Sequence, residues 1–136
     1  MDNLVKIAIV QFSPTWNDKS ENYKRLRMIL SNVVADIIVL PELCTTGYSF
    51  LTPQETLEQA ECAEEVATFF QSFSNKNQAV IVAGFVEIES NDIYNSAIIL
   101  SPFADYTVYR KTHLFYKEQL CFSSGNTGFK VIQHPI

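Results

Sequence analysis

Two apolar runs near the amino terminus flank a segment with helical periodicity. Residues 5–12 and 36–40 are each apolar enough to form a mostly buried strand. In the segment between them, the apolar positions recur every three or four residues, at Leu26, Ile29, Leu30 and Val33. Ser20 or Asn22 could cap the start of this helix. A strand, a helix and a second strand in this order predict a right-handed parallel βαβ unit.

The remainder of the chain predicts one more helix and four more strands. The helix runs from residue 52 to about residue 74, and the strands cover residues 79–87, 94–100, 107–110 and 129–132. A polar turn at residues 90–92 joins the first two of these strands, so we expect them to pair as a hairpin. The predicted order is β-α-β-α-β-β-β-loop-β, with both helices on one side of an α/β sheet.

A sheet with helices on one face leaves its other apolar face uncovered. A second sheet would cover that face, but no further strand is predicted after residue 132. We therefore interpret residues 1–136 as a single partial domain that ends before its second layer of strands. Such a half would expose an apolar face and open strand edges, so we also expect the chain to form homo-oligomers.

Composition narrows the classes of partner. The chain has 136 residues, 47% of them hydrophobic, which suits one domain of ordinary size or part of one. Its formal net charge is −5 and no long run of Lys and Arg occurs, so nucleic acid is not an expected partner. No apolar run approaches the ~20 residues of a membrane span and no signal-peptide pattern opens the chain, so we expect no membrane partner and a cytoplasmic location.

The cysteines and glycines argue against two further classes of site. Cys44, Cys62 and Cys121 are odd in number and widely spaced, which fits neither a disulfide framework nor a zinc site. With only two histidines to assist them, we expect no metal ion. No Gly-rich loop follows the first strand, which disfavours a nucleotide-binding doubly wound domain.

The stretch LPELCTTGY at residues 40–48 places a carboxylate, Glu42, at the end of a predicted parallel strand. Open α/β sheets hold ligands and reacting groups at the carboxyl ends of such strands. Beside apolar and aromatic neighbours, Glu42 could act as a proton acceptor. The alternative is an ordinary solvated acid in a loop.

Two further charged residues follow the predicted strand at 107–110. Lys111 comes directly after that strand, where its ammonium group could stabilise an oxyanion, or it could be an ordinary surface lysine. Glu118 lies in the next loop and could be a second carboxylate of the site or a solvated acid beside Lys117. Residue types alone leave both interpretations open.

Three stretches together resemble the nitrilase superfamily of carbon–nitrogen hydrolases: LPELCTTGY at 40–48, YRKTHLF at 109–115 and FSSGN at 122–126. The opening VKIAIVQFSPTWNDKSEN is also similar to that family's first strand, turn and helix. The resemblance implies the amino-terminal half of a four-layer α-β-β-α sandwich, with a Glu-Lys-Cys catalytic set and no metal or organic cofactor. In that set Glu42 matches the general base and Lys111 the lysine that stabilises the tetrahedral intermediate. Glu118 lies near the position of the family's second glutamate.

The family's nucleophilic cysteine has no counterpart in this sequence. Its expected place is a strand about ten residues beyond residue 136. Cys44, Cys62 and Cys121 do not match its motif, and we do not expect any of them to be the nucleophile.

The resemblance implies that a complete protein hydrolyses a small amide or nitrile to an acid, while residues 1–136 alone are inactive. The stretches are more similar to the small aliphatic amidase branches, including ω-amidases, than to the aromatic nitrilases. Another interpretation is a non-catalytic binding or assembly module that a partner chain completes. Glu42 and Lys111 would then lie in a binding cleft.

Overall fold

The computed structural model describes residues 4–133 as a sheet with helices packed against it. In chain order, the elements are β1 (Ile7–Ile9), α1 (Lys19–Asn32), β2 (Ile37–Val39), α2 (Pro53–Gln59), α3 (Ala63–Asn77), β3 (Val80–Glu89), β4 (Asp92–Ser101) and β5 (Ala104–Arg110). A 3₁₀ helix, Tyr116–Leu120, follows β5. No helix within residues 4–133 is long and apolar enough to cross a membrane.

The five strands lie in chain order across one sheet. β1, β2 and β3 are parallel, with Ile9 beside Val39 and Val39 beside Val82. β3 and β4 form an antiparallel hairpin, and β5 pairs antiparallel with β4. The predicted parallel strands and the predicted hairpin are therefore confirmed, and the carboxyl end of β2 lies next to β3.

α1 and α3 cover the same face of the sheet and form the helix-side core with it. Leu26 and Leu30 of α1 and Phe70 of α3 are fully buried there. They pack against fully buried side chains that alternate along β3, namely Ile81, Ala83 and Phe85. Burying one large apolar side chain contributes about 1.5–3 kcal/mol, so this layer is a major source of stability. The prediction that the helices lie on one side is confirmed.

The opposite face of the sheet, called the open face below, is apolar but poorly covered. It carries Ile7 and Ile9, which are 58% and 74% exposed, and a half-buried row formed by Val39, Val82 and Ile99. The prediction that residues 5–12 form a mostly buried strand is wrong. β1 is an edge strand, and its open-face side chains have no covering layer among residues 4–133.

Residues 52–74 belong to two helices rather than to the single predicted helix. Between α2 and α3, Glu61 pairs in parallel with β3. Its N–H donates to Val86 O at 2.9 Å, and its carbonyl oxygen accepts from Ile88 N at 3.0 Å. These bonds replace the hydrogen bonds of a continuous helix, so the chain is extended at residues 60–62.

The strand predicted at residues 129–132 is absent from the structure, so that prediction is wrong. Phe129 is 76% exposed, and its ring stacks on Tyr109 with 5.8 Å between the ring centroids. Val131 is 93% exposed. An apolar run becomes a strand only where a neighbouring strand satisfies its backbone groups, and no strand within residues 4–133 pairs with this one.

The N-cap of α1 is Asp18 rather than Ser20 or Asn22. Asp18 Oδ1 accepts from Glu21 N at 2.9 Å. Ser20 lies inside the first turn of the helix. Asn22 is fully buried and its side chain donates to Thr45 O at 3.0 Å, so it ties α1 to the turn after β2 instead of capping the helix.

We expect Asp18→Ala to lower the free energy of unfolding by about 0.5–2 kcal/mol, because it removes the acceptor for the first turn of α1. Ser20→Ala is the matched control and should change stability by less than about 0.5 kcal/mol. Urea denaturation of both variants measures the difference. Equal losses in the two variants would contradict the assignment of the cap.

Candidate active site

Lys111 joins the two glutamates that the sequence singles out. It comes directly after β5, where its backbone N–H donates to Asn95 O of β4 at 2.8 Å. Its Nζ donates to Glu42 Oε1 at 2.9 Å and to Glu118 Oε1 at 3.0 Å. Glu42, Lys111 and Glu118 therefore form one cluster, although Glu42 and Lys111 are 69 residues apart in the chain.

Glu42 reaches this cluster from a turn, residues 41–47, that lies directly on β3. Cys44 N donates to Gly84 O at 2.8 Å. A Cβ atom at position 84 would stand 2.5 Å from Leu43 N and 2.7 Å from Glu42 Cα, so only glycine leaves room for the turn. This close approach fixes where the Glu42 carboxylate lies relative to the sheet.

Glu118 projects from the 3₁₀ helix and has hydrogen bonds to both carboxylate oxygens. Its side chain is 5% exposed. The donors to Oε1 are Tyr48 OH at 2.6 Å, Asn95 Nδ2 at 2.9 Å and Lys111 Nζ, and Phe115 N donates to Oε2. Burial by itself raises the pKa of Glu118, but these donors together outweigh burial and hold the pKa below its usual range. Glu118 is therefore ionised at neutral pH.

The ammonium group of Lys111 is held in its charged form. Burial by itself lowers the pKa of Lys111, but the hydrogen bonds and charges of Glu42 and Glu118 exceed that effect and raise it. The side chain remains 28% exposed, so it can still contact a ligand. A fixed cation of this kind can stabilise a developing oxyanion.

The two carboxylates differ in their remaining capacity to bind a proton. The Glu42 side chain is 47% exposed, against 5% for Glu118. Within residues 4–133, the hydrogen bonds to Glu42 reach only Oε1, from Asn95 at 2.7 Å and from Lys111 at 2.9 Å. Its Oε2 is left to accept a proton, whereas both oxygens of Glu118 are engaged. The geometry therefore suits Glu42 to the role of a general base.

Glu42 and Lys111 line a depression of about 380 Å³ on the open face. Its walls include Val82, Gly84, Ala97 and Tyr109. A mostly apolar wall with a few polar groups at one side is typical of a site for a small molecule. Within residues 4–133, no group of three or more His, Cys, Asp and Glu side chains is arranged to hold a metal ion.

Two polar residues of the cluster are not identified by the sequence patterns. Asn95 interrupts the apolar strand β4 and is 3% exposed. Tyr48 ends the LPELCTTGY stretch. Burial raises the pKa of Tyr48 and its hydrogen bond to Glu118 raises it further, so the phenol keeps its proton and donates it. The sequence does contain one sign of Asn95, an amide side chain within a predicted apolar strand. A buried amide requires hydrogen-bond partners, so such a residue indicates a nearby polar cluster.

The FSSGN stretch lies against the backbone that carries Lys111. Gly125 N donates to Lys111 O at 3.0 Å, and Ser124 Oγ donates to Thr112 O at 2.8 Å. A Cβ atom at position 125 would stand 2.0 Å from Arg110 O, so this contact requires glycine. The stretch therefore fixes the backbone on both sides of Lys111.

The three cysteines lie in other surroundings. Cys44 is fully buried in the helix-side core, and burial raises the pKa of its thiol to about 12. Cys121 is 7% exposed and packs in a second apolar cluster with Phe122. Cys62 is the N-cap residue of α3. Burial of Cys44 and Cys121 does not favour either thiol as a nucleophile for the cluster.

Comparison with known proteins gives consistent matches along the chain. A family model described as Carbon-nitrogen hydrolase matches residues 6–136. A nitrilase of Pyrococcus abyssi is 37% identical, over 94% of this chain and 51% of the relative. The 2-oxoglutaramate amidase of Bacillus subtilis is 32% identical, over 88% of this chain and 48% of the relative. The chain thus spans about half the length of these curated relatives.

Solved structures share the fold. A CN-hydrolase superfamily protein of Xanthomonas campestris superposes with a TM-score of 0.80 at 21% identity, over 90% of this chain and 46% of that chain. An N-terminal amidase with an Asn-Glu-Ala peptide gives a TM-score of 0.81 at 28% identity, over 90% of this chain and 31% of that chain. The predicted α/β class is confirmed, and the matches cover less than half of each of these two solved chains.

We expect Gly84→Ala to destabilise the chain more than Gly128→Ala. The added Cβ at position 84 would meet backbone atoms of the 41–47 turn, and such overpacking costs up to about 3 kcal/mol. At Gly128 the φ angle is +67°, but apart from its chain neighbours no atom of the described residues lies within 4 Å of an added Cβ, so only the backbone cost of about 1 kcal/mol applies. Chemical denaturation of both variants measures this difference, and a larger loss in Gly128→Ala would rule out the steric explanation.

Proposed function

Because this chain belongs to the carbon–nitrogen hydrolase family, we propose that the complete protein hydrolyses the carbon–nitrogen bond of a small amide or nitrile. Glu42 is the general base, Lys111 stabilises the tetrahedral intermediate and Glu118 holds Lys111. The nucleophile is a cysteine outside these 136 residues. Residues 1–136 are one partial domain of the enzyme and are inactive alone. The reaction uses neither a metal nor an organic cofactor.

The observation that carries this proposal is that the two carboxylates around Lys111 differ in exposure and in the number of their oxygens that accept hydrogen bonds. Glu118 has hydrogen bonds to both oxygens and is 5% exposed, which suits a fixed counterion. Glu42 has its Oε1 bound and its side chain 47% exposed, which suits a group that gains and loses a proton. A purely structural ion pair would not require this difference.

In the first half of the reaction, Glu42 takes the proton of the cysteine thiol and the thiolate attacks the amide carbon. The carbonyl oxygen becomes an oxyanion, which Lys111 and a backbone N–H stabilise. Protonated Glu42 then gives its proton to the departing nitrogen, and the carbon–nitrogen bond breaks. Ammonia or an amine leaves, and the acyl group remains on the cysteine as a thioester.

In the second half, Glu42 takes a proton from water, and the water oxygen attacks the thioester carbon. Lys111 again stabilises the oxyanion. The carbon–sulfur bond breaks, the sulfur recovers its proton from Glu42, and the acid product leaves. Glu42 therefore binds and releases a proton twice in each cycle, which is consistent with its unengaged Oε2.

The open face supports the assignment of residues 1–136 to a partial domain. A second sheet packed on Ile9, Val82 and Ile99 would bury apolar side chains that are exposed or half-buried here. The depression beside Lys111 opens on that same face. A cysteine on a strand of the second sheet would thus approach Glu42 from the side that the depression leaves accessible.

The names of the relatives support an amide or nitrile substrate, because amidases and a nitrilase are among them. They include 2-oxoglutaramate amidase and protein N-terminal amidase. The apolar side chains around the depression suit the carbon chain of a small acyl group. We therefore assign the protein to the small aliphatic amidase branches of the family, which include ω-amidases.

In the complete protein, we expect Glu42→Gln and Lys111→Met each to reduce hydrolysis of small aliphatic amides by about 10²–10⁴-fold, because each removes a group that acts in the transition state. Ammonia release measures the rate. Glu58→Gln and Lys117→Met are matched controls at exposed positions and should retain full activity.

Full activity of the Glu42 and Lys111 variants would contradict the catalytic assignment and favour a binding module. Ammonia release by the 136-residue chain alone would show that the nucleophile lies within it. Activity confined to the complete protein, and lost in both variants, is the expected result.

The open face also supports a proposal about assembly, namely that the 136-residue chain forms homo-oligomers through it. Ile7 and Ile9 expose apolar surface at the edge of the sheet, where no strand within residues 4–133 pairs with the outer side of β1. Exposed apolar surface and an open strand edge both favour association with a second copy.

We expect Ile9→Lys to shift the 136-residue chain toward monomer, because a charge on the open face would have to be desolvated in the interface. Val34→Lys is the matched control, since Val34 is 80% exposed but lies outside the sheet. Sedimentation velocity measures the distribution of species. An unchanged distribution for Ile9→Lys would argue against this face as the interface.

A further inference from the structure

Asn95 closes a ring of hydrogen bonds around the two carboxylates. Its Nδ2 donates to Glu42 Oε1 at 2.7 Å and to Glu118 Oε1 at 2.9 Å. The same two oxygens accept from Lys111 Nζ at 2.9 Å and 3.0 Å. Two carboxylate oxygens are therefore bridged by two nitrogen atoms, of which one is a cation and the other a neutral amide.

The surroundings of Asn95 restrict its side chain to this orientation. The residue is 3% exposed and lies within β4, opposite Val86 of β3. Both contacts of Nδ2 are carboxylate oxygens, which only accept, so the amide must present its NH₂ group to them. Both N–H bonds are used, and a rotation of the side chain would break the two hydrogen bonds together.

Asn95 also fixes the lysine through the main chain. Its carbonyl oxygen accepts from Lys111 N at 2.8 Å. One residue therefore holds the backbone of Lys111 and also the two oxygens to which the Lys111 ammonium group binds. This double contact distinguishes Asn95 from Tyr48, which contacts the cluster only through Glu118.

We propose that Asn95 is a positioning residue that holds Glu42 with its Oε2 directed to the reacting groups while Lys111 binds the oxyanion. The inference rests on the proposed function, since it concerns how the general base is held. When Lys111 turns its donors to the oxyanion, its hydrogen bonds to the carboxylates weaken. The two bonds from Asn95 do not depend on the substrate, so they keep Glu42 in place through that step.

A neutral donor suits this position better than a second cation would. A charged donor binds a carboxylate about twice as strongly as a neutral one, and it would weaken Glu42 as a proton acceptor. Within residues 4–133, the titratable side chains around Asn95 and Glu42 are Lys111 after β5, Glu118 on the 3₁₀ helix, Tyr48 after the 41–47 turn and Tyr109 in the wall of the depression. Among the side chains of residues 4–133 that donate to these carboxylates, namely Lys111, Tyr48 and Asn95, Asn95 has no titratable proton.

The test uses the complete protein with Asn95→Leu, which has a similar volume but no donor. We expect kcat to fall by about 10–100-fold with KM little changed, because a misplaced base slows the chemical step more than it weakens binding. The acid limb of the pH profile should move to higher pH, because losing the Asn95 donor raises the pKa of Glu118, whose ionised form holds Lys111.

Ser96→Ala is the matched control on the same strand. Ser96 is also 3% exposed, and its Oγ donates to Glu87 Oε2 at 2.6 Å on the helix-covered face. The substitution removes a buried hydrogen bond to a glutamate, as Asn95→Leu does, but it removes no hydrogen bond to Glu42, Lys111 or Glu118. We expect lower stability with the kcat and pH profile of the wild type. An equal fall of kcat in Ser96→Ala would show that the effect is structural, and it would overturn the inference.

A second readout does not require turnover. Asn95 is one of the donors that lower the pKa of Glu118, so Asn95→Leu should raise that pKa toward its usual value. Carbon-13 NMR of labelled glutamate carboxyl groups measures the titration, and Glu118→Gln assigns the signal. Ser96→Ala should leave the titration unchanged.

The outcomes separate this inference from the proposed function. Wild-type kcat and pH profile in Asn95→Leu, in a protein that Glu42→Gln inactivates, would overturn the inference alone. Activity in Glu42→Gln would overturn the proposed function instead. If Asn95→Leu does not fold, Asn95→Asp keeps the shape of the side chain and replaces the donor by an acceptor. It should then show the fall in kcat, and wild-type kcat in that variant would equally overturn the inference.

Discussion

A single ammonium group between two carboxylates is the interaction on which the site depends. Lys111 Nζ lies 2.9 Å from Glu42 and 3.0 Å from Glu118. Without it the carboxylates would repel each other, and Glu118, at 5% exposure, would be an uncompensated buried charge. One cation does not balance two anions, so the neutral donors Asn95 and Tyr48 are also needed. The cluster therefore exists only where the backbone brings all of these donors together.

Two glycines allow the backbone to do so. At Gly84 the turn that carries Glu42 lies so close to β3 that a Cβ would stand 2.5 Å from a backbone nitrogen. At Gly125 the FSSGN stretch lies so close to β5 that a Cβ would stand 2.0 Å from a backbone oxygen. Each contact replaces side-chain packing by direct backbone hydrogen bonds. The positions of Glu42 and Lys111 are thus determined by main chain on both sides of the cluster, and loops of this kind can hold reacting groups accurately.

Sequence patterns predict the elements that local periodicity determines. They do not predict features that depend on a contact with a residue distant in the chain. The parallel strands and the hairpin follow from apolar runs and a polar turn. Their places at strand ends make Glu42 and Lys111 candidates, whereas Glu118 lies in a loop and is indicated by the family resemblance. The helix break at Glu61 does not follow from the sequence pattern, because its hydrogen-bond partner is Val86 on β3. The exposure of Ile9 cannot be predicted from the sequence pattern either, because it depends on which layers cover the sheet. Asn95 can be recognised as an amide within a strand, but alternation alone does not say which face of the sheet carries the site.

Strand alternation also separates two ion clusters that would otherwise compete. Arg110 and Lys111 are consecutive, and the Arg110 guanidinium donates to both oxygens of Glu87, at 2.8 Å and 2.6 Å, on the helix-covered face. Lys111 consequently faces the open side and Glu42. A slip of one residue along β5 could place Arg110 where Lys111 now lies and give Glu42 an arginine, whose planar fork binds both carboxylate oxygens. Glu42 would then have no oxygen left for a proton. The Arg110–Glu87 pair, which contacts neither Glu42 nor Glu118, thus stabilises the register in which Glu42 keeps Oε2 unengaged, as the proposed role of general base requires.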